Sequence, residues 1–564
     1  MVALEVFTPN TNPLGRQWLS ALLALLPILA MLITLGALRW KAHLAGLFSW
    51  GVALVVAIAA FKMPVVQALS TSAHGFIYGL FPIVWILLTA IWMYDVTVVS
   101  GRFEDLRRTF FLISDDPRVV GLVVAFCFGG LLEALAGYGA PVAITAAMLI
   151  AVGFSPLRSA IVALLANTVP VAFGAVGLPV LMAARTGGFE DVLAISPITG
   201  RITALLCIVV PFLLLWVMDG RRGLIECWPV GLVIAAAFGV TKWIVSSTSL
   251  YNLTELFAAV ISVAVAIGFL RLWHPSGGAA ARERIGVPID STVEKDFTPS
   301  PLDEGATPLT RQRILMALVP YLMVIVVFGL AAVPAVKRAL ASTDLTFRWP
   351  MLDGLMTVAG KPSAHQHFTF GWASTPGILL ALVAILTGLV YRMSLAEVFG
   401  VLWKNMVKMR FAALTIGAVV ALAYVMGDSG QTLALGMFIA GAGASYAFLA
   451  PVLGWIGTYV TGSDTSANIL FSGLQSSVGS QIGPGSHLGV EDMRRLLVGS
   501  NAAGGVVGKM ISPQSLTIAA TAIGLSGSES VILRKVFGWS LVLLLLMCLL
   551  AGLMSTPVLS WLIP

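Results

Sequence analysis

The sequence predicts an all-α polytopic membrane protein of about 12 transmembrane helices, with two opposed re-entrant hairpins set in inverted repeats. Three observations lead there. Of 564 residues, 58% are hydrophobic and only 10% charged, with a mean hydropathy of +0.96, whereas about 25% charged residues is usual in soluble chains. Apolar runs of about 20 residues, long enough to cross a hydrocarbon core of about 30 Å as helices, recur from end to end. Two further apolar stretches are interrupted at their centres by glycine and polar residues.

The first run, 18–38, is too long for a signal-peptide core and is followed by Arg39-Trp40-Lys41 rather than a small-residue cleavage site, so it is read as a retained helix. Further spans are expected at 44–61, 76–98, 157–183, 196–218, 224–245, 253–271, 314–334, 375–392, 411–428, 494–523 and 536–556. The stretches 120–153 and 449–478 are broken by Gly137-Tyr138-Gly139-Ala140-Pro141 and by Gly462-Ser463-Asp464-Thr465. Each arm is about 14 residues, or roughly 21 Å of helix, too short to cross, and both stretches are read as re-entrant hairpins. Residues 103–111 and 431–446 are read as interfacial helices, with a further span as the alternative for 431–446. His274 to Arg313 is the one long polar segment and reads as a disordered cytoplasmic linker between the halves 1–272 and 314–564. A smaller polar loop, Lys337 to Gly371, holds His365 and His367, a spacing that suits a metal on a strand but in an exposed loop is read as incidental.

Charge orients these elements. With both termini outside, Arg39, Lys41, Arg102, Arg107, Arg108, Arg118, Arg221, Arg222, Arg271, Lys404, Lys408, Arg410, Arg534 and Lys535 all fall on one side, which is then cytoplasmic. The first hairpin enters from that side and the second from outside. The net charge of +7 is therefore a topology signal in a lipid bilayer and gives no case for nucleic acid as a partner. Cys127, Cys207, Cys227 and Cys548 form no CxxC pair, so neither a disulfide framework nor a thiolate metal site is indicated, and no cofactor is expected.

Two runs repeat. Ala166-Asn167-Thr168-Val-Pro170 leads to Gly174 and Pro179, and Ser500-Asn501-Ala502 leads to Gly508 and Pro513. Glycine follows asparagine by seven (174 − 167 and 508 − 501), and proline by twelve (179 − 167 and 513 − 501). Each half is thus a hairpin followed by a broken helix, and inverted repeats of this kind hold their binding site near the midplane where the interrupted helices meet. Non-helical backbone at that depth survives only in protein or along a wet cavity, so the breaks mark the site.

Helix starts at a break offer unpaired N–H groups and partial positive charge, which suit a carboxylate. The candidate binding residues are Gly137, Tyr138, Gly139 and Ala140 at the first tip, Ser463, Asp464, Thr465 and Ser466 at the second, and Asn167, Thr168, Asn501, Ser512 and Gln514 along the broken helices. Lys509 reads as the one cation in this core. A small carboxylate with a hydroxyl or keto group satisfies such a set. The alternative, that Ser, Thr and Asn only repair broken backbone, stands open for each of them. Charges at the bilayer centre cost about 2.5–3.5 kcal/mol even on the most forgiving scale, so Glu133, four residues before Gly137, and Asp464 carry more information. Either carboxyl, held away from water, can exchange a proton near neutral pH, and Glu133 is the preferred carrier. The competing reading is a fixed bridge from Glu133 or Asp464 to Lys509. Asp95 and His74 stand near span ends and read as interfacial.

Gly130-Leu-Leu-Glu133-Ala-Leu-Ala-Gly-Tyr-Gly139-Ala-Pro-Val-Ala-Ile-Thr145, the run Ala166 to Gly174, Thr461-Gly-Ser-Asp-Thr-Ser-Ala-Asn468 and Gly508-Lys-Met-Ile-Ser-Pro-Gln-Ser515 resemble the bacterial L-lactate permease family. Four motifs in the family's order cover both halves. The resemblance implies an ion-transporter-like fold and a secondary carrier of the bacterial cytoplasmic (inner) membrane. Such a carrier imports L-lactate, with D-lactate and glycolate, in symport with protons, and homodimers are common among its relatives. Tyr138 departs from the family pattern, where Phe is expected, and changes the polarity of the tip. A sodium-coupled carrier of other short carboxylates is the alternative within transport. An intramembrane enzyme is the rival class, but no HExxH occurs and Asp115-Asp116 lacks a partner DDxxD.

Overall fold

The computed structural model describes residues 6–564 apart from 39, 136, 138, 288, 290–308 and 359, so the expectations placed on Arg39 and Tyr138 fall outside the described residues. The chain enters through α1 (Gln17–Leu32), extended by a wide helical turn to Ala37, and returns through α2 (Ala42–Ala59). α3 (Val65–Tyr78) and α4 (Trp85–Val99) form one 35-residue path broken at Phe81, whose φ of −134° and ψ of 120° are those of a strand. The span expected at 76–98 is therefore part of a longer, broken one. Pro82 is the cause, since it lacks an N–H and drives the preceding residue out of the helical region.

After the short amphipathic α5 (Arg102–Phe111) comes the first hairpin. α6 (Pro117–Leu122) and α7 (Gly129–Leu135), joined through the wide turn Val123–Phe128, make one arm, and α8 (Ala140–Val152) makes the other. The first arm, at 19 residues, is longer than expected and wholly buried. α9 (Pro156–Ala166) and α10 (Gly174–Thr186) follow, bent by 59° about the first break. α11 (Ser196–Val245) reverses at Asp219–Gly220 and so holds both spans expected at 196–218 and 224–245. Its ends are fastened by the Ser196 hydroxyl, which donates to the Ser246 carbonyl at 2.6 Å. α12 (Thr254–Leu270) leads to α13 (Gly278–Ile285), which lies in the segment read as disordered. Ion pairs that composition cannot reveal hold this helix, with Arg284 meeting Asp219 at 2.6 Å and Arg282 donating to the Asp115 carbonyl at 2.8 Å, while for 288 and 290–308 the linker reading falls outside the described residues.

The second half opens with α14 (Arg311–Ala332) and α15 (Pro334–Ala341). Strands β1 (Leu345–Arg348) and β2 (His367–Phe370) pair antiparallel, with Leu345 opposite Phe370. α16 (Pro376–Val390) precedes α17 (Leu395–Ser429), which starts on a Ser394–Glu397 capping box and carries the span expected at 411–428 in its later turns. α18 (Gln431–Ile439), with 9 residues or about 14 Å, is too short to cross alone, but with the helical stretch that follows it to Thr461, bent by 103°, it makes one of two bent pairs long enough together to span. α19 (Ala450–Thr461) and α20 (Asp464–Ile482) form the second hairpin, α21 (Gly489–Lys509) and α22 (Pro513–Ala522) the second broken helix, and α23 (Glu529–Met554) closes the fold. Among the described residues, nine helices are long and apolar enough to cross a membrane, or eleven with each bent pair counted as one.

Contacts between loops sort the molecule into two faces. Phe7 pairs with Leu355, Arg201 donates to the Leu562 carbonyl and Arg494 to that of Gly187, which gathers the N-terminus, the β-hairpin and the C-terminus on one face. Arg118, Asp219, Arg284 and the Arg313–Asp105 pair at 2.7 Å occupy the other, together with most of the basic loop residues. The first hairpin is based on this basic face, where the Phe154 ring abuts Gly121 and Ser155 bonds Ile285. The second is based on the opposite face. Glycines let its arms approach α21 closely: a Cβ at Gly504 would fall on the Pro451 carbonyl and one at Gly508 on that of Trp455. Small residues are how membrane helices gain such contact, and here they press the Lys509 end of α21 against the second hairpin.

Candidate functional site

Both hairpins turn on glycine. Gly137 and Gly139 have φ of 45° and 89°, and Gly462 has φ of 73°, a region where a Cβ is strained. After each tip a helix begins, α8 at Ala140 and α20 at Asp464, the latter capped by the Ser463 hydroxyl accepting from Ser466 N–H at 3.3 Å. The broken helices add two more starts. Asn167 ends α9, and beyond it Ala175 and Val176 stand at φ of 43° and 59°. Such non-glycine conformations cost about 1–3 kcal/mol each and persist only where the surroundings enforce them. Regular helix resumes around Pro179, as it does at Pro513 in the other repeat, where Ser512 caps the Ser515 N–H at 3.2 Å. The twelve-residue spacing from asparagine to proline thus marks where each helix restarts.

These four starts face one cavity of about 110 Å³, reached by Gly139, Leu178, Pro179, Ser463 to Ser466, Gln514 and Ser515. Glu133 and Lys509 line it too, and their side chains meet: Nζ lies 2.6 Å from Oε1, with 9% and 2% of the side chains exposed. Glycine makes room for the acids in both repeats. Gly174 would carry a Cβ only 3.0 Å from the Glu133 carboxylate, and a Cβ at Gly505 would overlap Asp464 Oδ1. Asp464 also lines the cavity, and its Oδ1 accepts from the Thr458 hydroxyl at 3.4 Å. Oε2 of Glu133 and Oδ2 of Asp464 are buried without a hydrogen-bond partner. The hydroxyls of Thr465 and Ser466 and the Gln514 carboxamide form no hydrogen bond among the described residues and remain available to a ligand.

The structure therefore brings together Glu133, Gly137, Gly139, Ser463, Asp464, Thr465, Ser466, Lys509 and Gln514. It sets the others apart from the cavity lining. Asn501 is fully buried, donating to Asn468 Oδ1 at 2.9 Å and accepting from Gln475 at 3.2 Å, because α21 runs unbroken past it to Lys509. The Thr168 hydroxyl is spent on the Leu165 carbonyl at 2.7 Å, and that of Ser512 on the Lys509 carbonyl at 2.9 Å, both local repairs of interrupted backbone. Asn167 is buried beside them with Oδ1 unpartnered, and Ala140 opens α8.

Lys509 is not the only cation in the core. Lys242 and Glu255, both at 0% exposure, pair at 2.6 Å. The sequence signal was one ionisable residue near the end of each of two apolar spans, with nothing in the spacing to join them. His365 has a partner the spacing did not show: its Nδ1 lies 2.9 Å from Asp428. Among the described residues no cluster of acids, histidines and cysteines is arranged to hold a metal ion.

A wider cavity of about 780 Å³ adjoins the central one at Ala42, Thr415, Gly462 and Gln514, and is lined by Trp40, His43 and Glu529 on the basic face. On the opposite face a cavity of about 640 Å³, lined by Tyr78, Arg185, Leu181 and Tyr251, shares no lining residue with the centre. The central cavity thus shares its lining with the cavity on the basic face, while on α10 its lining ends at Pro179 and that of the opposite cavity begins at Leu181.

A protein-family model described as L-lactate permease matches residues 20–558. An L-lactate permease of Escherichia coli (strain K12) is 35% identical over the full length of both chains, and the glycolate permease GlcA of the same strain is 36% identical over 96% of each. Among solved structures, the MtrF efflux pump of Neisseria gonorrhoeae is 13% identical, with a TM-score of 0.47 over 94% of this chain and 97% of its own.

Proposed function

The chain belongs to the L-lactate permease family and is a multi-pass protein of the bacterial inner membrane; from that premise we propose that it imports L-lactate, D-lactate and glycolate by symport with protons. The observation that carries this reading is the Glu133–Lys509 pair at 2.6 Å on the wall of a cavity faced by four helix starts.

The pair supplies a coupling device. One ammonium serves two carboxylates in turn: Glu133 when the site is empty, the substrate when it is loaded. As the anion arrives, Glu133 takes up a proton, releases Lys509, and the ammonium pairs with the substrate carboxylate. The N–H groups that open α20 and α22 share its charge. Thr465, Ser466 and Gln514 offer partners to the hydroxyl of a 2-hydroxy acid. Anion and proton enter together, so the loaded site carries no added net charge through the hydrocarbon, where an unpaired charge is costly. The free Oε2 of Glu133 and Oδ2 of Asp464 are the two oxygens at which a proton would be held. With the basic face cytoplasmic, the opening beside Gly462 and Gln514 makes this an inward-facing state.

Uptake of a panel of hydroxy and keto acids into proteoliposomes, with sodium and pH varied independently and no ATP, tests the reading. L-lactate, D-lactate and glycolate accumulate under an inward proton gradient without sodium, and counterflow of labelled lactate proceeds without any gradient. Accumulation that follows sodium and ignores pH would replace the proton with sodium, and a need for ATP would remove the secondary carrier altogether.

A further inference from the structure

The Lys242–Glu255 pair does not line the central cavity, and it has a neighbour the Glu133–Lys509 pair lacks. Lys242 Nζ also donates to the backbone carbonyl of Val169 at 2.6 Å and lies 5.4 Å from the centre of the Phe173 ring. Val169 sits inside the first break. In a continuous helix its carbonyl would accept from the N–H of residue 173, but that N–H turns to the Pro170 carbonyl at 3.3 Å. Lys242 supplies the donor that the break removed, and Glu255 neutralises and holds Lys242.

The consequence reaches the substrate site through five residues of backbone. Beyond Val169 the chain passes through Phe173 to Gly174, which abuts the Glu133 carboxylate, and then to Leu178 and Pro179 on the cavity wall. We propose that Lys242, held by Glu255, is a positioning residue: by capping Val169 it fixes the path of residues 167–177, and with it the place of Glu133 and the helix start at Pro179. This rests on the central cavity being the substrate site. Stability alone does not account for the pair, since a buried ion pair replaced by apolar residues of similar volume is often as stable or more so. A capped carbonyl in a strained break is a geometric return that an apolar pair cannot give.

The double substitution Lys242→Met/Glu255→Met removes both charges together and leaves only the Val169 carbonyl without its donor. Purified, reconstituted protein should keep its thermal transition, and accumulation under a pH gradient at saturating lactate should persist. The KM for lactate should rise about tenfold, a loss of about 1.4 kcal/mol in binding, while Vmax changes little. Glu255→Asp retains the charge but draws the carboxylate back by one methylene, pulling Lys242 off Val169, and raises KM in the same direction if the double variant does not reach the membrane. An unchanged KM in a folded variant overturns the proposal, and so does a fall in Vmax alone. Counterflow by the unsubstituted protein in the same vesicles separates the two claims: if it fails, the substrate-site reading falls, and if it succeeds while the variants keep their KM, only the positioning role falls.

Discussion

Lys509→Met abolishes lactate uptake at physiological concentrations, raising KM by about a hundredfold or more, because the substituted site loses the only ammonium that the described residues place on its wall and leaves Glu133 uncompensated. Removing one partner of a buried pair costs about 3–5 kcal/mol, and every 1.4 kcal/mol is a factor of about ten. Part of that loss falls on folding, so the single variant also yields less protein. The double variant Lys509→Met/Glu133→Gln divides the two effects. With no orphan charge, its abundance and thermal transition recover, but uptake does not, since nothing remains to pair with the substrate anion. Recovery of uptake in the double variant would reduce Lys509–Glu133 to a fixed bridge between repeats.

Glu133→Gln acts on coupling instead. Glutamine keeps the shape and an acceptor for Lys509 but cannot carry a proton in exchange for it. An inward gradient of one pH unit is worth about 1.4 kcal/mol and sustains about tenfold accumulation by a one-to-one symporter. In Glu133→Gln vesicles that ratio falls to about one, while exchange of labelled for unlabelled lactate continues. Accumulation that still follows the gradient would move the coupling proton to Asp464, whose Oδ2 is the other free oxygen on the wall.

The sequence was most informative where backbone chemistry is local. Apolar length placed the spans, and glycine-rich interruptions at 137–141 and 462–465 placed both hairpin tips, because glycine takes the positive φ found at Gly137, Gly139 and Gly462 without steric cost. Phe81-Pro82 escaped notice because a proline within an apolar run does not say whether the helix bends or breaks; here the extended Phe81 breaks it. The helix Gly278–Ile285 was hidden for the opposite reason, since its order comes from Arg284 and Arg282 meeting residues far away in the chain.

Within the site, repeat spacing identified the restart prolines but misdirected attention to the asparagines. Asn167 and Asn501 share a position in sequence, yet one ends a helix and the other lies within one, because the second break begins only after Lys509, at Met510. The pairing of Glu133 with Lys509, 376 residues apart, was legible only as a possibility of charge balance. That of Lys242 with Glu255 was not legible at all, since each residue stood at the margin of an ordinary apolar span and the contact depends on how α11 and α12 pack.

The exchange of partners at Lys509 is tested most directly by following protons during lactate binding to purified protein in weakly buffered solution. As the substrate carboxylate displaces Glu133 from the ammonium, the protein takes up about one proton per lactate bound, the solution turns more alkaline, and affinity tightens as pH is lowered; Glu133→Gln binds lactate with no such uptake. Lactate binding without proton uptake, or with the same uptake in Glu133→Gln, would contradict the mechanism.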